Sequence, residues 1–549
     1  MQCPNCGAQM ADVATSCAAC GAIRWSEAPT LATVGSPTPP FTTTPPGYGA
    51  PPPPFVGVTP QPFLPSAPKR KRRWPRLLAV FAGLIVIAGI AVGAYAYINR
   101  GPHYPSHWDA RVGPIATQVE ALRGLTFKHP VPVNYLPAKE FEKKVTDSPA
   151  DVKKAKKEID QATGLLRAAG LIGGNVDLAK AANDTQAADT IAFYDPDTKA
   201  IYVRGSGAFT VNTRVTLAHE LTHVLQDQYY DLPKLQKRAY DSKTGSSDAL
   251  TALIEGDAVH TENRYVAAQS PADRKEYARL SNADSSAAND RTKDVPAVIG
   301  TLFGAPYIFG PQIIDVLYST GGNQAINDAL TGPTPTTRIY LDPTALNDAP
   351  TLPPVPALQA GEKKESTGSA NDDAFDDFTL YLMLGARIDR PTALRAADAY
   401  STGSEVLYSK SGKTCFRATI EGINPAADAY LHTVLQRWTE SMPDAAIDSS
   451  GAAVTFHSCD PGKNAPAPSN AAINEATSFA VTRAAFTDQL VTKDHATTQL
   501  ATCASRLFFE SPSLRSTLLG KSTLPAAQIR QEASVIGFTC RSNASSGLP

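Results

Sequence analysis

Leu77 to Ile98 is a run of 22 residues without a charge, about 33 Å long as a helix against a hydrocarbon core of roughly 30 Å. Such a run divides the chain. Lys69, Arg70, Lys71, Arg72, Arg73 and Arg76 precede it, whereas Arg100 alone follows before Arg111. The positive-inside rule then predicts a single-pass membrane protein with residues 1–76 in the cytoplasm and 99–549 outside. Tyr95 and Tyr97 fall at the expected outer interface, where aromatic rings are favoured. A cleaved signal peptide does not fit, because its leading segment would extend from residue 1 to 76.

The eight cysteines follow the same division. Cys3, Cys6, Cys17 and Cys20 form two CxxC knuckles within the first two dozen residues. Four thiolates in so short a segment predict a tetrahedral structural zinc site, with the metal supplying the folding energy. The segment resembles the short zinc ribbons at the N-termini of many bacterial membrane proteins. Cys415, Cys459, Cys503 and Cys540 are widely spaced and lie on the outer side, which predicts two disulfides. Three pairings of four cysteines are open. Strand-like flanks at 414–420 and 453–457 favour Cys415–Cys459, and helical flanks favour Cys503–Cys540.

The outer part also carries His219-Glu220-Leu221-Thr222-His223 within an apolar-periodic segment, 215–229, that predicts an amphipathic helix. Imidazoles at i and i+4 share one helical face and can hold one Zn²⁺, while Glu220 is placed to take a proton as general base. Zinc hydrolysis needs a third protein ligand and one open position. Glu255, 32 residues after His223 in a second helix-like segment, is the candidate. Asp257 and Asp227 compete to brace a ligating imidazole. The strand-like run 199–204 is a candidate edge to which an extended peptide could add, preceded by an Asp195-Pro196-Asp197-Thr198 turn.

Three stretches carry a resemblance: Ala192-Phe193-Tyr194-Asp195-Pro196, Ile201-Tyr202-Val203-Arg204-Gly205 and Val215 through Gln228. Together with the EGDA segment Glu255-Gly256-Asp257-Ala258 they resemble a bacterial family of zincin-like, gluzincin-type metallopeptidases typified by an HELTHxLQDQ helix. The resemblance is strongest over 190–262 and weaker over 307–343. There Thr336-Thr337-Arg338-Ile339-Tyr340-Leu341-Asp342-Pro343 lacks the Glu, Gln and His of the family's ST-E-Q-x-L-H-P-like run. It implies His219, His223 and Glu255 as zinc ligands and Glu220 as catalytic acid/base, and supplies no substrate.

The expected organisation is a zinc ribbon (1–24), a linker (25–68), a basic segment (69–76), a transmembrane helix (77–98), a zincin-like domain (99–350), a linker loop (351–373) and a C-terminal region (374–549). Residues 29–68 hold 14 prolines and cannot pack a core. The predicted class is α+β: a mainly helical, zincin-like ectodomain with a C-terminal α+β lobe, one transmembrane helix and a small zinc ribbon. Residues 151–169 predict one charged helix whose Lys153, Lys154, Lys156 and Lys157 form a solvated face. With a net charge of −1, no nucleic-acid partner is expected.

The function these features predict is a membrane-anchored zinc metallopeptidase acting on a peptide or protein outside the membrane, with a cytoplasmic partner for the ribbon. His260, Arg264 and Tyr307 are candidate oxyanion donors. Two rival classes stay open: a non-catalytic sensor or scaffold with a zinc-binding ectodomain, and a cell-envelope hydrolase of non-peptide amides.

Overall fold

The computed structural model describes residues 104–205, 209–346, 350–365, 373–449 and 453–546. The zinc ribbon with Cys3, Cys6, Cys17 and Cys20, the proline-rich linker, the basic segment and the 77–98 span lie outside the described residues. The class is α+β, with helices around two small sheets. The described chain forms two compact units, 104–488 and 489–546.

In the first unit the elements that position the site are α1 (Gly113–Arg123), β1 (Val133–Leu136), α2 (Lys156–Ala168), β2 (Ala192–Asp195), β3 (Ala200–Arg204), α3 (Val211–Tyr230), α4 (Ser247–Ala267), α5 (Pro271–Thr292) and α6 (Ala297–Thr331). Further on come β4 (Lys363–Lys364), α7 (Asp377–Gly385), β5 (Tyr400–Lys410), β6 (Lys413–Gly422), α8 (Pro425–Glu440), β7 (Ala445–Ser449) and β8 (Val454–Cys459). The single helix expected over 151–169 is instead two, Pro149–Lys154 and α2, separated at Ala155. Its four lysines are exposed, as expected of a solvated face.

The first sheet has the order β1-β3-β2, with β1 parallel and β2 antiparallel to β3. β3 is therefore the central strand, and the edge expected there is occupied on both sides. β1 and β2 are the outer strands, and α3 packs against β2. The β2–β3 turn is closed by Asp195 Oδ1, which accepts from the N–H groups of Asp197 (3.0 Å) and Thr198 (3.3 Å). Lys199 then takes a left-handed φ of 53°.

α3 starts at Thr210, whose hydroxyl accepts from the Thr213 N–H, and stops at Asp231 in the left-handed region. It is not the half-solvated helix its pattern suggested. Nearly every residue from Val211 to Asp227 is buried, because α1, α4 and β2 all pack on it. Its polar residues are thus interior groups that need partners.

The heart of the unit is the crossing of α4 and α6. Gly256 and Gly310 meet there backbone to backbone: a Cβ on Gly256 would lie 2.5 Å from the Gly310 carbonyl carbon and oxygen. This explains the glycine beside Glu255, since only a bare backbone lets α6 support that segment. Gly256→Ala is expected to destabilise the protein by about 1–3 kcal/mol through overpacking. Denaturant unfolding of the full chain would measure the loss, and unchanged stability would contradict the crossing. α6 is the one helix among the described residues long and apolar enough to cross a membrane. Its most apolar window is 61% buried, so protein interior absorbs most of that apolarity. Gly321 and Gly322 interrupt it with non-helical dihedrals.

The second sheet, β4-β5-β6-β8-β7, is antiparallel throughout. Cys415 and Cys459 are direct cross-strand partners on β6 and β8 and form a disulfide. α2 packs on this same sheet: Ser458 Oγ donates to the Ala168 carbonyl at 2.7 Å, and Arg167 binds both Asp460 oxygens at 2.7 Å. The compact unit thus includes residues on both sides of the 351–373 segment expected as a linker loop.

The second unit consists of helices Thr498–Glu510, Pro512–Leu518 and Ala526–Ser546. Its Cys503–Cys540 disulfide joins the first of these to the last. Both disulfides have the expected pairing. In the chain-entropy view each contributes at most about 4 kcal/mol.

Candidate metal centre

α3 places His219 and His223 one turn apart, and α4 brings Glu255 against them. The two imidazole Nε2 atoms lie 3.1 Å apart. Glu255 Oε2 stands 3.2 Å from His219 Nε2 and 3.3 Å from His223 Nε2. Donors about 2.0–2.1 Å from a tetrahedral zinc stand about 3.3–3.4 Å from each other, so this triangle has the dimensions of one face of such a site. Among the described residues it is the one group of three or more His, Cys, Asp or Glu whose ligand atoms converge in this way.

The surroundings fix which ring nitrogens carry protons. His219 Nδ1 lies 3.0 Å from Glu262 Oε2, and an ionised carboxylate only accepts, so Nδ1 is the donor. His223 Nδ1 lies 2.8 Å from Gln226 Oε1. The Gln226 amide is oriented in turn, because its Nε2 donates to the Ile254 carbonyl (2.9 Å) and to Asp257 Oδ2 (2.8 Å). In the neutral rings both Nε2 lone pairs therefore point toward Glu255 Oε2. Three electron-rich atoms in such a buried space repel unless a cation or a proton sits among them. Glu255 Oε1 is also buried without a hydrogen-bond partner among the described residues.

Electrostatics repeat this need for a proton or a cation. Burial alone would lower the His219 imidazole, but hydrogen bonding to Glu255 and Glu262 outweighs it and holds the ring well above its ordinary value. Burial would raise Glu255, yet His223 and His219 keep it below the usual carboxylate range. Glu220 behaves oppositely: burial, only partly opposed by the two imidazoles, pushes it up to about 7. Its Oε2 accepts the backbone N–H of Tyr194 on β2 at 2.7 Å.

The two carboxylates expected to brace an imidazole do other work. Asp257 reaches His223 only through Gln226, because Arg123 holds it in a buried ion pair (2.9 Å). Asp227 accepts from the Tyr194 hydroxyl and from Lys199 Nζ, both at 2.6 Å, and ties α3 to the β2–β3 hairpin. The direct braces are Glu262 and Gln226. Helical spacing could have found both: Glu262 is seven residues after Glu255, on the same stripe of α4, and Gln226 is three after His223. Of the oxyanion candidates, His260 Nδ1 pairs with Asp315 (2.7 Å) and Arg264 donates to the Leu122 carbonyl (2.6 Å). Tyr307 is buried within α6.

Comparison of this chain with protein-family models, curated proteins and solved structures found no match.

Glu262→Ala is expected to weaken zinc binding about 10–100-fold, the usual cost of removing a carboxylate that orients a ligating histidine. Competition titration with a chromogenic chelator would measure it. An unchanged affinity would mean that Glu262 does not orient His219.

Proposed function

We propose that this chain is a membrane-anchored zinc-dependent hydrolase, zincin-like in its ectodomain, that cuts peptide bonds on the outer side of a bacterial membrane. The observation that carries the reading is the triangle of His219 Nε2, His223 Nε2 and Glu255 Oε2, with both outward ring nitrogens engaged as donors. The donor set of two imidazoles and a carboxylate suits zinc, and three protein ligands leave a position for chemistry.

Zinc held by His219, His223 and Glu255 would supply a Lewis acid that polarises a carbonyl and lowers the pKa of water toward about 7. Glu220, adjacent to His219 in the chain and raised to about 7, is basic enough to accept a proton and acidic enough to return it to a leaving amine. The Tyr194 N–H anchors one of its oxygens and so restrains the carboxylate.

The rest of the chain serves location. Residues 77–98 anchor the protein in the bilayer with residues 1–76 inside, and the ribbon cysteines Cys3, Cys6, Cys17 and Cys20 hold a second, structural zinc and engage a cytoplasmic protein. The two disulfides of the described region suit an oxidising compartment. Protease added to intact cells should accordingly trim the ectodomain and spare the ribbon. Digestion of the ribbon in sealed cells would reverse the topology.

Metal analysis of the purified full chain should find two zinc ions, and an unbiased peptide library should be cleaved in a chelator-sensitive way. One observation favours a second reading. His219, Glu220, His223 and Glu255 are each at most 3% exposed, which suits a metal site that never turns over in a sensor or scaffold. Two zinc ions with no cleavage of any peptide would select that reading.

A further inference from the structure

Five rings gather on one surface of the first unit. Tyr104 lies against His129 with ring centroids 3.5 Å apart, and Trp108 meets Phe127 edge-on at 4.9 Å. The 126–129 loop joins these pairs to the C-terminal end of α3. There the Tyr229 hydroxyl donates to the Thr126 carbonyl at 2.8 Å, and Gln228 Nε2 donates to the His129 carbonyl at 2.8 Å.

The surface is open to solvent despite its rings. Tyr229 is 39% exposed, Lys128 is exposed, and the other four rings are half-buried. The carboxylates nearby are committed: Asp109 pairs with Arg111 at 3.2 Å, and Glu120 accepts the Phe127 N–H at 2.7 Å. Lys128 Nζ donates to the Gln228 carbonyl and stands 4.6 Å from the centre of the Tyr229 ring. Neither contact neutralises its charge. Amphipathic rings beside a lysine are the side chains that the headgroup layer of a bilayer favours.

Chain length says what lies opposite. Ile98 ends the uncharged run, and Tyr104 follows six residues later. Six residues reach at most about 20 Å when fully extended, and headgroups fill about 5–8 Å on each side of the hydrocarbon. With 77–98 in the bilayer, Tyr104 stays close to the outer leaflet. The ring-rich surface built around Tyr104 is held there with it.

We propose that this surface docks on the phospholipid headgroups of the outer leaflet, with the rings entering the layer and Lys128 meeting lipid phosphate. The proposal rests on residues 77–98 being the anchor and is independent of the zinc. Tyr229 follows His223 by six residues, about 9 Å along α3, so docking here fixes how far the candidate metal centre stands from the bilayer.

The test is photo-crosslinking of the full-length protein in liposomes of phosphatidylethanolamine and phosphatidylglycerol, read by peptide mass spectrometry. One phospholipid probe carries a diazirine in its headgroup and a second carries it in the acyl chain. Acyl-chain adducts are expected within 77–98, and headgroup adducts at 104–108, 126–129 and 228–230. Acyl-chain adducts in 77–98 without headgroup adducts on the surface would overturn the docking and leave the anchor standing. No acyl-chain adducts in 77–98 would overturn both. A tether alone also brings lipid near, and charge reversal separates tethering from docking. Lys128→Glu and Tyr229→Glu should each cut headgroup adducts on this surface by about fivefold or more, with those in 77–98 unchanged. Undiminished headgroup adducts in the folded variants would overturn the docking. If Tyr229→Glu fails to fold, the Lys128→Glu result decides.

Discussion

His223→Ala is expected to lower zinc affinity at the ectodomain site by more than about 100-fold, beyond the loss typical of an outer brace. The variant removes one of three donors and strands Gln226, whose carbonyl oxygen is held toward the vacated ring. With a second zinc proposed at the ribbon, metal analysis of the full chain should fall from two zinc ions to one. Thermal melts give a second readout. Wild-type protein should gain about 2.7 kcal/mol when free zinc is 100 times its dissociation constant, and the variant should gain far less. Retention of two zinc ions would remove His223 from the ligand set.

Glu220→Gln addresses chemistry instead of binding. It preserves the shape of the side chain and an oxygen able to accept the Tyr194 N–H, but it abolishes the proton acceptor. Zinc content and melting temperature should stay near wild type while turnover on a library-derived peptide falls by roughly 10²-fold or more. The pH profile follows from the ionised form being the working one. Without metal, burial holds the carboxyl near 7. Bound zinc, a positive charge, would draw that value downward, so the acidic limb of activity should lie at or below about 7 and activity should fall as pH drops through it. Activity that survives the substitution undiminished would mean another group takes the proton. A sensor or scaffold would show neither the activity nor its loss.

Local pattern made much of the region around the centre legible. The HExxH spacing marked two residues of the triangle, and the helical run at 249–258 marked the third. The turn before β3 was readable from Asp-Pro-Asp, and the Cys415–Cys459 pair from two strand-like flanks. What was not legible depended on contacts far apart in sequence. Asp257 looked like a brace because it neighbours Glu255, but Arg123, 134 residues away, claims it. β3 looked like an edge because nothing local marks β1 as its parallel partner. α3 read as half-solvated because its apolar positions are periodic, although its polar positions are also buried and partnered. The heptad spacing of Glu255 and Glu262 was visible in the sequence, but its meaning required knowing that α4 faces His219.

The seating of α2 on β6 and β8 bears on how the protein is made. Arg167 meets Asp460 across 293 residues, and Ser458 meets the Ala168 carbonyl across 290. Synthesis proceeds from the N-terminus, so the histidines and Glu255 emerge long before the sheet that completes their unit. Until residue 460 has emerged, the apolar face of α2 has no sheet to cover it. Closing so long a loop is slow. A fragment ending at residue 350 would lack that sheet permanently, so residues 104–350 are expected to fold poorly on their own.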